Sequence, residues 1–106
     1  MSDFSLDDLS AIIAARASAT AEASYTKSLL DAGAERMAKK LGEEAVELVI
    51  AAMQGDPKAI TSESADLLYH LLVLLQGSGI PLQAVLDELG RRTSQSGHQE
   101  KASRKA

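Results

Sequence analysis

The 106-residue chain has no cysteine and no tryptophan, and only one phenylalanine, two tyrosines and two prolines. Without thiols, disulfides, thiolate zinc sites and cysteine nucleophiles are excluded, and any metal would be held by oxygen or imidazole. With aromatics at 3%, a core must be built from Leu, Ile, Val, Ala and Met, which suits helix packing better than a β-sandwich. Long apolar runs are missing as well. The longest, Leu71 to Leu75, falls far short of the roughly 20 residues that span a bilayer, and no signal-peptide pattern opens the sequence. A soluble, cytoplasmic protein without a membrane partner is expected.

What is present is ordinary for a folded chain: 45% apolar and 25% charged residues, at a length that suits one small domain. The charge is uneven. Residues 1–90 carry six Lys/Arg against fourteen Asp/Glu, whereas residues 91–106 carry five against one. An acidic body argues against a nucleic-acid partner. The polar, aperiodic stretch 93–106 reads as a disordered tail behind a domain of residues 1–92.

No segment alternates like a strand; the apolar residues recur at helical spacing, predicting an all-α fold. Ser5, with Asp8 three positions on, forms an imperfect capping box ahead of Leu6, Leu9, Ile12 and Ile13. The small residues from Ala14 to Ala23 either continue this helix or fray. Ser24-Tyr25-Thr26 reads as a loop into a short turn that closes near Gly33. A long helix is expected from Ala34 to Gln54, with Met37, Leu41, Leu48 and Ala52 as its apolar stripe and Val49 and Met53 widening it. Gly55-Asp56-Pro57 then supplies a stop, an N-cap and a first helical residue in succession. The next helix runs from Pro57 to about Gln76 and ends at Gly77-Ser78-Gly79; Pro81 opens a last one reaching Arg92. The expected architecture is an antiparallel bundle with four main helices per chain. Leu67, Leu68, Leu71, Leu72, Val73, Leu74 and Leu75 surround most of the third main helix. A helix apolar nearly all round must be buried nearly all round, so a homodimer with a core shared between chains is expected.

The chemistry lies in the carboxylates. Glu44 and Glu47 are three apart and share a helix face, and Glu63 and Asp66 repeat that spacing. A short connection makes the two long helices antiparallel, and Glu47 and Glu63 each lie eight residues from Gly55, at matched height. Four carboxylates converging at one level repel one another unless a cation sits among them; the alternative is a solvated acidic groove. Oxygen donors without His or Cys favour Mg²⁺, with Mn²⁺ possible, over zinc or copper. A di-iron bundle needs Glu-x-x-His, and position 67, three before His70, is Leu.

Glu43-Glu44-Ala45-Val46-Glu47 followed by Glu63-Ser64-Ala65-Asp66 resembles the E-E-x-x-E … E-x-x-D signature of the MazG-like all-α nucleotide pyrophosphohydrolases. Ser24-Tyr25-Thr26, Lys39-Lys40-Leu41-Gly42-Glu43-Glu44 and Glu63 through His70 look more specifically like the phosphoribosyl-ATP pyrophosphatase family. The resemblance covers residues 4–92 with no departure at the acidic positions. It implies a Mg²⁺-dependent cut between the α- and β-phosphates of phosphoribosyl-ATP, the second step of histidine biosynthesis, by a dimer with shared helices. Carried over by position, Glu44, Glu47, Glu63 and Asp66 become the metal ligands, and Glu43, Glu44 and Glu47 the catalytic group. Glu43, about 100° round the helix from Glu44, is left to hold a second ion, orient the water, or pair with Lys39 or Lys40.

A polyanionic substrate needs cations beside this acidic site. Lys40, one turn before Glu44, is the first candidate for a phosphate contact, or else an ordinary ion pair with Glu44. Lys27 and Arg36 are further candidates. Ser24 and Thr26 could bind phosphate or ribose and Tyr25 could stack on a base, or the tripeptide only caps the turn. His70, on the face of Glu63 and Asp66, is a general base or, among leucines, a core histidine with a satisfied hydrogen bond. Met37 and Met53 are expected to pack. Two rival functions stay open: a housekeeping (d)NTP pyrophosphatase of the same fold, and a non-catalytic helical adaptor.

Overall fold

The computed structural model describes residues 3–94. It contains five α-helices and, among the described residues, no strand: α1 (Leu6–Arg16), α2 (Tyr25–Ala32), α3 (Ala34–Gln54), α4 (Pro57–Gly77) and α5 (Leu82–Thr93). The all-α expectation holds. The number of helices does not: the stretch expected as a loop and a turn is a helix of two turns, α2. Ser24 caps it by accepting from the Lys27 N–H at 3.2 Å, and Lys27 pairs with Asp31 at 2.6 Å one turn on.

Local chemistry fixes the remaining boundaries. At α1 the capping box is complete, with Ser5 Oγ accepting from the Asp8 N–H and Asp8 Oδ2 accepting from the Ser5 N–H, both at 3.1 Å. The alanine-rich stretch does not extend it. Ser18 donates its hydroxyl to the Ala15 carbonyl, and Thr20 accepts from the Ala23 N–H, so the side chains close turns in place of another helical turn. Gly55, at φ +70°, ends α3 in the left-handed conformation that glycine alone adopts without penalty, and Asp56 then caps α4 through the Lys58 N–H with Pro57 at its start. At the far end of α4, Ile80 N–H donates to Leu75 O and Gly79 N–H to Gln76 O, a Schellman closure with Gly79 at φ +71°. α5 starts at Leu82, with Pro81 as its cap, and continues through Thr93, one residue beyond the Arg92 expected as its end. Most of the expected tail, residues 95–106, lies outside the described residues.

α3 packs chiefly on α4. Joined by Gly55 and Asp56 alone, the two form an antiparallel hairpin, with α1 against α4 and α2 against both. The core is Ile13, Leu29, Met37, Leu72, Val73 and Leu82, one or two from each helix, with Leu9, Leu30, Tyr69, Leu74 and Leu75 packed around it. Met37 is buried as expected; Met53 is not, standing 84% exposed at the end of α3. With it stand Val46, Val49 and Ile50, all exposed, giving an apolar stripe at i, i+3, i+4 and i+7. Of the apolar residues surrounding α4, only Leu72 and Val73 are fully buried, and Leu68 is exposed. α5 leaves α4 at a bend of 113° and seats only Leu82 in the core, leaving Leu86 and Leu89 exposed. No single helix among the described residues is long and apolar enough to cross a membrane.

Candidate active site

The hairpin brings the acidic residues together. Carboxylate oxygens of Glu44 from α3 and of Glu63 and Asp66 from α4 all lie within 4.8 Å of one another. Glu47, the fourth residue of the expected set, stands beside this group, close enough to act on the Glu63 carboxyl. Residues placed symmetrically about Gly55 do meet at one height, because a two-residue connection leaves no room for a shift in register.

Glu63 is the pivot. Its Oε2 has essentially no exposed surface and no hydrogen-bond partner. Burial pushes its carboxyl above the ordinary carboxylate value; the neighbouring Glu47 side chain and the negative charges of Asp66 and Glu44 push it further. A buried acceptor without a donor is unfavourable, and one surrounded by like charge doubly so. The residues present fit a hard divalent cation: oxygen donors only, converging, with one oxygen lacking any other partner.

Glu43 points elsewhere. It pairs with Lys40 at 3.4 Å, so the ion pair weighed between Lys40 and Glu44 forms one residue earlier and leaves Glu44 to the cluster. The Lys40 side chain is 23% exposed, one turn before the carboxylates. Arg36 lies a further turn back, exposed. Lys27 is held by Asp31 at the start of α2.

Ser24-Tyr25-Thr26 divides its labour. Ser24 is the helix cap; accepting the Lys27 N–H leaves its own hydroxyl proton available. Thr26 is buried, and its Oγ1 lies 2.5 Å from the Tyr69 hydroxyl, bonding α2 to α4. Tyr25 is half exposed, its ring inclined 18° to that of Tyr69 with centroids 6.5 Å apart. His70 is a buried core histidine, as weighed, but only half satisfied. Nδ1 donates to the Asp66 carbonyl at 2.8 Å, while Nε2 is buried without a partner. Sequence reasoning missed Tyr69. The available signal was its position three residues after Asp66, on the carboxylate face of α4.

An all-helical chain whose carboxylates meet across a helical hairpin has the arrangement expected of an all-α nucleotide pyrophosphohydrolase. Comparison with known proteins narrows that class. The family model described as phosphoribosyl-ATP pyrophosphohydrolase matches residues 6–93. The phosphoribosyl-ATP pyrophosphatase of Methylobacterium nodulans is 58% identical over 105 residues, 99% of this chain and 98% of that one. Its counterpart from Sinorhizobium medicae is 60% identical over 104 residues, covering 98% and 97%, and that from Azorhizobium caulinodans 62% over 99 residues, covering 93% and 91%. The chain belongs to the phosphoribosyl-ATP pyrophosphohydrolase family.

Proposed function

We propose that the carboxylate cluster is the Mg²⁺ site at which this hydrolase cuts the α–β phosphoanhydride of phosphoribosyl-ATP, giving phosphoribosyl-AMP and pyrophosphate in the second step of histidine biosynthesis. The activity is that of the family; the single observation supporting the site is the buried, partnerless Glu63 Oε2 among Glu44, Asp66 and Glu47. Glu44, Glu47, Glu63 and Asp66 would hold the ion, with Mn²⁺ as the alternative occupant. Bound there, it supplies positive charge against the phosphate oxygens and acidifies a water.

The chain's own residues do the rest. Glu47, exposed and beside Glu63, is placed to take the proton of the attacking water as the new P–O bond forms and the bridging P–O bond breaks toward pyrophosphate. Lys40, paired with Glu43 one turn before the carboxylates, meets the polyphosphate when substrate displaces that pair. Arg36 and Lys27 extend the cationic border, Ser24 offers its hydroxyl proton to ribose or phosphate, and Thr26 holds Tyr25 in place through Tyr69. The comparisons do not favour the (d)NTP reading, since the relatives above are named for phosphoribosyl-ATP.

The working unit is a homodimer, with α3 and α4 of two chains completing one antiparallel bundle. What supports this is the exposed stripe Val46, Val49, Ile50 and Met53, together with Leu68, Leu86 and Leu89. Exposed apolar residues in this number are uncommon on a small monomer and normal at an obligate interface. The protein is taken to work in the cytoplasm. To test the metal site, thermal unfolding is followed with and without Mg²⁺: the ion should raise Tm of the wild type and leave Glu63→Gln unmoved. Equal shifts in both would exclude Glu63 from the site.

A further inference from the structure

We infer that Tyr25, Tyr69 and His70 form the subsite for the purine base, with His70 Nε2 accepting a hydrogen bond from the base's exocyclic amino group. The inference rests on the reading above, that a nucleotide is the substrate.

Three rings from two helices meet at one place. Tyr25 and Tyr69 are close to parallel, 18° apart with centroids separated by 6.5 Å, and define one plane direction for a flat ligand. His70 stands nearly perpendicular to both: its ring is at 77° to Tyr25 with centroids 6.3 Å apart, and at 89° to Tyr69 with centroids 5.0 Å apart. A base lying parallel to the tyrosines therefore presents its edge toward His70. Tyr25, 54% exposed, opens the group to solvent, and the Tyr69 ring is fixed by the hydroxyl contact with buried Thr26. Base–aromatic stacking on such a platform is worth enough to anchor a nucleotide.

His70 supplies the polar selectivity. The Asp66 carbonyl can only accept, so Nδ1 carries the proton of the neutral ring and Nε2 is left as an acceptor. That acceptor is buried and has no partner in a residue only 7% exposed. Packing alone would favour an apolar side chain here, since an unsatisfied buried acceptor is a penalty. A donor delivered by a ligand removes it. The placement also suits the substrate: His70 follows Asp66 by one helical turn and Glu63 by about two, on the same face. The ribose then bridges the base on the rings and the phosphates at the carboxylates.

The chain has no tryptophan and two tyrosines, both in this group, so its tyrosine ring-proton resonances report on the subsite directly. The full-length protein is titrated in Mg²⁺ with AMP, with ribose 5-phosphate, and with purine riboside 5′-monophosphate, which is AMP without its amino group. AMP should move the Tyr25 and Tyr69 ring protons upfield, and ribose 5-phosphate should not. The nucleotide lacking the amino group should bind about five- to tenfold more weakly, the scale of one hydrogen bond. His70→Leu should abolish that preference. In turnover of phosphoribosyl-ATP, Tyr25→Leu should raise KM with kcat largely kept, and Tyr25→Phe should restore it. Ring shifts that are the same with ribose 5-phosphate, or equal affinity for the two nucleotides in the wild type, would overturn the inference. A wild type that fails to cleave phosphoribosyl-ATP yet shows the AMP shifts would instead overturn the substrate assignment and leave the base subsite standing.

Discussion

Glu63 concentrates the tension in this molecule, because one of its carboxylate oxygens is buried without a partner and three other carboxylates, Glu44, Glu47 and Asp66, stand close to it. Its pKa is raised in the folded chain, so its contribution to stability is present below the ordinary carboxylate value and is lost as pH rises through the folded value. In chelator, the wild type should therefore lose stability as pH climbs through and beyond the carboxylate range, and Glu63→Gln should lose less. Urea unfolding at a series of pH values measures this; parallel curves for the two proteins would mean the carboxylates are not in conflict. Lys40 makes a different prediction. Its partner Glu43 is half exposed and the pair is of the surface kind, worth little to stability. Lys40→Ala should leave Tm nearly unchanged while weakening substrate binding, seen as a KM raised by about tenfold for one lost charge-assisted contact. An unchanged KM would remove Lys40 from the phosphate path.

Helix boundaries depend on chemistry that can be read locally, and this is why α3 and the start of α4 were legible in the sequence. Gly55-Asp56-Pro57 specifies a stop, a cap and a restart without reference to anything distant. Asp56→Ala should cost about 1 kcal/mol through the lost cap, lowering Tm by about 4–8 °C. Pyrophosphate release at low temperature should persist, because the hairpin itself remains; loss of activity without loss of stability would show that Asp56 does more than cap. α2 was not legible as a helix because eight residues carry too little periodicity, and its Ser24 cap is equally at home in a turn. The carboxylate cluster could be read from spacing about one glycine. The group of Tyr25, Tyr69 and His70 could not, since it depends on α2 folding back across α4, a tertiary event with no local signature.

At the scale of the whole molecule, a single chain leaves too much apolar surface uncovered for its small core. α3 exposes Val46, Val49, Ile50 and Met53, and α5 seats only one residue against the body. In the proposed homodimer a second copy would cover these faces, which accounts for the seven apolar residues of α4 together. If the proposed dimer forms, Ile50→Asp should sediment as a monomer and melt at a lower Tm that no longer depends on protein concentration, as the wild type's should; a wild type that is already monomeric would contradict the shared core. On the function proposed above, the carboxylates on α3 and α4 make this family member a Mg²⁺-dependent phosphoribosyl-ATP pyrophosphatase. The most direct test is pyrophosphate release from phosphoribosyl-ATP, ATP and a set of dNTPs, in Mg²⁺ and in chelator, with Glu47→Gln as the blank. Turnover of phosphoribosyl-ATP alone, absent in chelator and in the variant, is the predicted result. Undiminished release in chelator, or full activity in Glu47→Gln, would contradict it.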